Sequence, residues 1–162
     1  IQVTHDIDEA LYLADKIAII DKGKIIQHGS KETVFKNPKN KFVANFIGYK
    51  NIFKGNIENN NHFKTKEVVI TLDSKHHNEE KYILIPPESI TISNSTSSST
   101  SARNQFNGTI TKIIQRNGFY ELAIDIGINI SAYITHESIN NLDLEQNKQC
   151  TIAFKATSIK LF

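Results

Sequence analysis

The sequence predicts an α+β chain: a short segment in which helices flank a hairpin, then a small, mainly β barrel. Three observations carry that reading. Before Gly48 apolar residues recur at helical spacing, whereas beyond it they alternate in short runs, and Asn- and Ser-rich turns separate those runs. At 162 residues with 39% apolar content, the chain is large enough for a modest core. A net charge of +2 neither demands nucleic acid nor excludes a local anion site. The single cysteine, Cys150, permits no intrachain disulfide. No apolar run approaches the ~20 residues that span a bilayer, and the amino terminus lacks the pattern of a signal peptide.

Asp6 with Glu9 forms a capping-box-like start, and Ile7, Ala10, Leu11 and Ala14 then describe one buried helical face. Ile17–Ile20 and Lys24–Gln27 flank Asp21-Lys22-Gly23 as a hairpin closed through Gly23. Ser30 caps a short helix that reaches Phe35 and must end before Pro38. Phe42, Val43, Phe46 and Ile47 form a further helical stripe, stopped by Gly48. Strands are then expected at Asn51–Ile57, Glu67–Leu72, Tyr82–Ile85 and Ser89–Ile92. Residues 93–101, almost wholly Ser and Thr, read as a flexible connector. Thr109–Ile114 and Tyr120–Ile126 are joined at Asn117-Gly118, a strong hairpin signal. In the second of these, Glu121, Ala123 and Asp125 form the outward face. Ile128–Ile134 repeats the alternation, Thr135–Leu142 is a short helix, and Thr151–Phe154 and Ser158–Leu161 close the chain as strands. Strands of this length and spacing suggest a barrel.

The run from Val3-Thr4-His5-Asp6 through Leu13-Ala14-Asp15-Lys16-Ile17-Ala18 to Gln27-His28-Gly29-Ser30 resembles the end of the nucleotide-binding domain of ATP-binding-cassette (ABC) importer ATPases. The resemblance makes His5 the switch histidine of the intact ATPase, where ATP and Mg2+ are bound. A neutral imidazole suits that role, because it can hydrogen-bond a terminal phosphate and the attacking water. No G-x-x-x-x-G-K-[ST] loop occurs, so the expectation is a carboxy-terminal piece of that subunit, inactive alone. The ATPase part is expected to span residues 1–48 and a regulatory β domain residues 49–162.

A second constellation lies in that domain. A small tetrahedral dianion needs about two positive charges, several hydroxyl or amide donors and no carboxylate against it. Arg103 and Lys155 supply charge; Ser101, Ser138 and Thr157 supply hydroxyls. Each also has an ordinary reading: a solvated Arg103, a snorkelling Lys155, and Thr135 with Ser138 capping a helix. Ser101-Ala102-Arg103-Asn104, Thr135-His136-Glu137-Ser138 and Lys155-Ala156-Thr157 resemble the molybdate-binding (Mop) members of the TOBE domain family over residues 101–162. That resemblance implies an OB-like barrel and oxyanion contacts on Ser101, Arg103, Thr135, Ser138, Lys155 and the amide of Ala156. In such proteins each site is shared between two subunits. With the ATPase-like part, the chain most resembles the ATPase subunit of an importer for molybdate or tungstate, inhibited by its own cargo. The implied partners are a second copy, membrane-spanning permease subunits and a solute-binding protein. The implied location is the cytoplasmic face of the cell membrane.

Pro86-Pro87-Glu88 stands where relatives carry Arg-Pro-Glu, and Glu137 must point away from any bound anion. His76, His77, Glu79 and Glu80 lie too close in sequence to converge readily on one metal, and no metal is expected. The rivals are a stand-alone oxyanion store, an importer for another solute such as sulfate, and an oligonucleotide-binding barrel. The last is disfavoured because Phe119 and Tyr120 adjoin only Arg116, and Tyr133 has no basic neighbour.

Overall fold

Two curled sheets share one apolar core in the computed structural model, and a small α/β unit precedes them. The structure describes residues 1–77, 80–94 and 101–162; Glu79 and residues 95–100 of the expected connector lie outside them. The first unit comprises α1 (Ile7–Leu13), β1 (Lys16–Asp21), β2 (Lys24–Ser30), α2 (Lys31–Lys36) and α3 (Lys41–Ile47). Its caps follow from the sequence. The Asp6 carboxylate accepts from the amides of Asp8 and Glu9, Ser30 Oγ from Thr33, and Asn40 Oδ1 from Val43. Lys22 (φ 48) and Gly23 (φ 75) make the two-residue turn that matches strand twist, and Gly48 (φ 99) ends α3.

Two expectations for this unit are corrected. No residue of α1 is buried, and Leu11, Tyr12 and Leu13 are exposed. The helix instead borders an open, mainly apolar cleft of about 1120 Å³, whose other wall includes Ile17, Ile19, Phe35 and Phe46. In α3 the inward residues are Val43, Ala44 and partly Ile47, packed with Val34 and Ile19. Phe42 and Phe46, four apart, stack on each other at 6.2 Å on the outer side.

The first sheet has the order β12-β6-β3-β4-β5, built from β3 (Ile52–Glu58), β4 (His62–Lys64), β5 (Val69–Thr71), β6 (Glu80–Leu84) and β12 (Lys160–Leu161). The second has the order β10-β9-β8-β11-β7, from β7 (Thr91–Ser93), β8 (Asn104–Arg116), β9 (Phe119–Asp125), β10 (Asn129–Ile134) and β11 (Gln149–Phe154). A six-residue helix, α4 (His136–Asn141), follows β10. Each sheet borrows a strand: β7 follows β6 in sequence but pairs with β11, and β12 follows β11 but pairs with β6. Ile57, Phe63, Ile70 and Ile83 from one sheet meet Ile110, Leu122, Ile124 and Phe154 from the other.

The strands expected at Ser89–Ile92 and Ser158–Leu161 both start later than predicted. Each opens instead with a 3₁₀ turn, at Pro87–Ser89 and Ala156–Ser158. The cause is the same twice: Ser89 Oγ donates to the carbonyl of Pro86 and Ser158 Oγ to that of Lys155, both at 2.7 Å. Strand β4 was not expected.

Gly55 lies where β3 and β4 approach closely. A Cβ there would stand 2.4 Å from the Lys64 carbonyl and 2.7 Å from the Phe63 ring. Gly55→Ala is expected to destabilise by about 3 kcal/mol, the upper end of overpacking costs, since backbone must give way. A denaturant midpoint unchanged by the substitution would contradict that packing.

Candidate anion-binding site

The two sheets are copies of one plan. Asn-x-Phe-x-Gly-x-Ile occurs at 51–57, opening β3, and again at 104–110, opening β8. Registers correspond: Ile52 pairs with Leu84 as Gln105 pairs with Ala153, and Lys160 with Leu84 as Thr91 with Ala153. Both asparagines are buried, at 1% and 2% exposure, and each reaches into the opposite sheet. Asn51 Oδ1 accepts from Ser131 N (2.7 Å) while its Nδ2 donates to Ser131 O (2.6 Å) and Ile85 O (3.1 Å). Asn104 does the same to Thr71, with 2.7 Å and 2.9 Å bonds. A side-chain amide thus substitutes for a ladder partner, which a buried strand edge requires.

This plan splits the expected oxyanion residues into two groups. Asn104 pairs with Phe154 as the last pair of the β8–β11 ladder, so Arg103 and Lys155 are the residues just beyond it at one end, with Ser101 two positions before Arg103 and Ala156 directly after Lys155. Arg103, Lys155 and Ser101 are exposed and Ala156 is buried. Among the described residues no carboxylate pairs with either cation. The Asn104 grip sets this group against Thr71, in the first sheet. Thr135 and Ser138 instead follow β10, whose last residue Ile134 pairs with Tyr120, itself opposite Gln115 near the far end of the 13-residue β8. There Thr135 Oγ1 accepts from the Ser138 amide (3.2 Å) and donates to Ser138 Oγ (2.9 Å), while Tyr120 Oη and His136 Nε2 lie 3.2 Å apart. Within one chain the two groups are therefore at opposite ends of β8.

The end that holds Thr135 has a charge cluster that the sequence did not announce. Glu121, expected on the outward face of β9, is 5% exposed. Its carboxylate takes Lys50 Nζ on one oxygen and, on the other, Arg116 through Nε (3.1 Å) and Nη2 (2.7 Å). Burial raises the Glu121 pKa, but the hydrogen bonds and charges of Lys50 and Arg116 outweigh it and hold the carboxyl below its usual range. Lys50 lies in the strap between α3 and β3, and its neighbour Tyr49 donates from Oη to the Phe35 carbonyl of α2 (3.0 Å). Burial, then Glu88 and Tyr133, push the Tyr49 phenol from 10.0 up to about 12. Because the neutral form is favoured on folding, its contribution is complete below pH 10 and lost as pH rises through about 12. Tyr49→Phe is expected to remove that step from an alkaline unfolding curve followed by tyrosinate absorbance.

His5 is exposed in the loop before α1, at the rim of the apolar cleft; residues 1–6 form no strand. His76 Nε2 and Ser74 Oγ lie 3.0 Å apart, and among the described residues no three metal-binding side chains gather. No helix among them is long and apolar enough to cross a membrane.

Comparisons with known proteins follow the same outline. The TOBE domain model matches residues 100–161. Molybdate/tungstate import ATP-binding proteins from Pyrococcus abyssi and Pyrococcus horikoshii are 31% and 33% identical over this whole chain. The chain spans about half of their length, 46%. A spermidine/putrescine import ATP-binding protein from Borreliella afzelii is 35% identical over 78% of the chain and 35% of its own length. Among solved structures, the cytoplasmic molybdate-binding protein ModG, with molybdate bound, superposes with a TM-score of 0.59 at 20% identity. It covers 71% of this chain and 96% of its own. That span exceeds residues 100–161, so the shared fold takes in part of the chain before them. Residues 100–161 thus resemble TOBE domains, within a chain whose whole length is similar to about half of each molybdate/tungstate import ATP-binding protein.

Proposed function

We propose that this chain is the carboxy-terminal part of the ATP-hydrolysing subunit of an importer for molybdate or tungstate, and that residues 49–162 sense the oxyanion. The observation that carries the reading is Arg103 and Lys155, two cations just beyond the last pair of the β8–β11 ladder, with no carboxylate paired to either among the described residues. Two unpaired charges flanked by Ser101 and the backbone at Ala156 suit a tetrahedral dianion, whose charge they balance. Similarity to molybdate/tungstate import proteins along the whole of this chain supports the choice of anion.

Because Thr135 and Ser138 lie at the other end of β8, they serve an anion held by Arg103 and Lys155 only if a second copy supplies them. An anion bridging two copies favours the arrangement in which it is bound, and biases the attached ATPase domains accordingly. High internal oxyanion then slows import. ATP and Mg2+ act on the intact subunit, where His5 is the switch histidine. Its permease and solute-binding partners place it at the cytoplasmic face of the membrane.

A second reading comes from the similarity to spermidine/putrescine import proteins. A polyamine is a cation and has no business beside Arg103 and Lys155, so the two readings separate cleanly. Calorimetric titration of the chain with sodium molybdate, tungstate, sulfate and spermidine decides. Heat from molybdate or tungstate and none from spermidine is the expected result. Spermidine binding without oxyanion binding overturns the proposal.

A further inference from the structure

We propose that the Glu121 carboxylate is a built-in anion, which fills from within the chain the repeat-related counterpart of the Arg103–Lys155 site. Lys50 precedes Asn51 as Arg103 precedes Asn104, so the repeat gives the two cations equivalent places. The asparagine after each cation reaches into the opposite sheet: Asn51 to Ser131 on β10, Asn104 to Thr71 on β5. The copies differ in the length of one hairpin. The β3–β4 ladder ends at Glu58 and His62, whereas β8–β9 continues to Arg116 and Phe119. Both Arg116 and Glu121 belong to the stretch that the shorter hairpin lacks. Lys50 therefore meets a carboxylate, and among the described residues Arg103 meets none.

The second difference reinforces the first. By the same register, Lys155 and Ala156 correspond to Pro86 and Pro87, so the Lys50 end has lost one cation and gained Arg116 in its place. Lys50 and Arg116 converge on one carboxylate there, with Thr135 and Ser138 following the neighbouring strand. The side chains of Lys50 and Arg116 are 51% and 44% exposed, while that of Glu121 is 6% exposed. Solvent reaches the cations but not the carboxylate that they cover. Without the carboxylate, this end has the chemistry of an oxyanion site. With it, one of two like sites is permanently filled, the sheets are tied there whatever the anion concentration, and only the Arg103 end responds. The analogy rests on the oxyanion reading of Arg103 and Lys155; the Lys50–Glu121–Arg116 contacts do not.

The test is calorimetric titration of the full 162-residue chain with sodium tungstate. The wild type is expected to show one class of uptake, lost in Arg103→Ala. Glu121→Gln, nearly the same shape, is expected to take up one further tungstate per chain, independent of Arg103 and lost when Lys50→Ala is added. If Glu121→Gln gains nothing while the wild type binds through Arg103, the inference fails and the oxyanion reading stands. If the wild type binds nothing but Glu121→Gln gains Lys50-dependent uptake, the reading fails and the inference stands. If neither chain binds, both fail. Should Glu121→Gln unfold in buffer, refolding by tungstate and not by equal sodium chloride supports the inference, and no refolding with either Glu121→Gln or Glu121→Ala overturns it.

Discussion

Asn51→Leu is expected to destabilise the chain by about 3–6 kcal/mol, more than most single substitutions, because three backbone groups lose their partners at once. The amide and carbonyl of Ser131 and the carbonyl of Ile85 are all met by the one side chain. A buried polar group left without a partner costs about 1–3 kcal/mol, and leucine fills the space but offers no hydrogen bond. Asn104→Leu orphans two groups, both on Thr71, and is expected to lose about two-thirds as much. Urea unfolding read by circular dichroism measures both. Because the two asparagines clamp opposite ends of one sheet pair, the m-value should stay constant while the midpoint falls. A loss under about 1 kcal/mol for Asn51→Leu would mean that water replaces the amide, and that the two sheets are not held by these clamps.

Arg103→Ala is expected to weaken molybdate or tungstate binding by tenfold or more. Removing one cation from a dianion held by two leaves the rest of the site unbalanced, a penalty of about 2–5 kcal/mol when the site is desolvated. Lys155→Ala should act alike, since Lys155 leaves the same end of the β8–β11 ladder as Arg103. Lys112 is exposed on β8, away from that end, and Lys112→Ala is the control. Equal losses from all three would indicate a diffuse positive field, which a rise in salt would screen within about 8–10 Å. In a reconstituted importer, Arg103→Ala should raise the oxyanion concentration that inhibits ATP hydrolysis by the same factor.

Much of the fold was legible because local signals agreed with it. Asp6, Ser30, Gly23, Gly48 and Asn117-Gly118 each act over a few residues, and each capped or turned the chain as expected. What escaped was long-range. Alternation along β9 placed Glu121 outward, which is correct for an isolated strand, yet Lys50 and Arg116 bring its carboxylate under cover. Lys50 is 71 positions away in sequence, beyond the reach of any periodicity. The α1 stripe was read as buried because its spacing is right; burial needs a partner surface, and the described chain leaves that side as an open cleft. That Arg103 and Lys155 leave the same end of the β8–β11 ladder depends on strand pairing, which no local pattern gives. The separation of Thr135 and Ser138 from them depends on which strand borders which. One signal was present and unread: the recurrence of Asn-x-Phe-x-Gly-x-Ile at 51–57 and 104–110, which announces the internal duplication and both clamps.

The exchange of β7 and β12 between the sheets bears on how the molecule is made. Leu84 waits for Lys160, so the first sheet keeps an unpaired edge until almost every other strand has been synthesised. The second sheet, in turn, cannot be completed without β7, which arrives before any of its other strands. Neither half is therefore a finished folding unit on the ribosome, and such distant pairings are slow to form. An open edge exposed during that interval invites pairing with a neighbouring nascent chain, and the same exchange performed between two chains would yield an interlocked pair. The device that makes the two sheets inseparable in the native protein thus leaves the growing chain dependent on Lys160 and Leu161, distant in sequence from the β6 edge that they close.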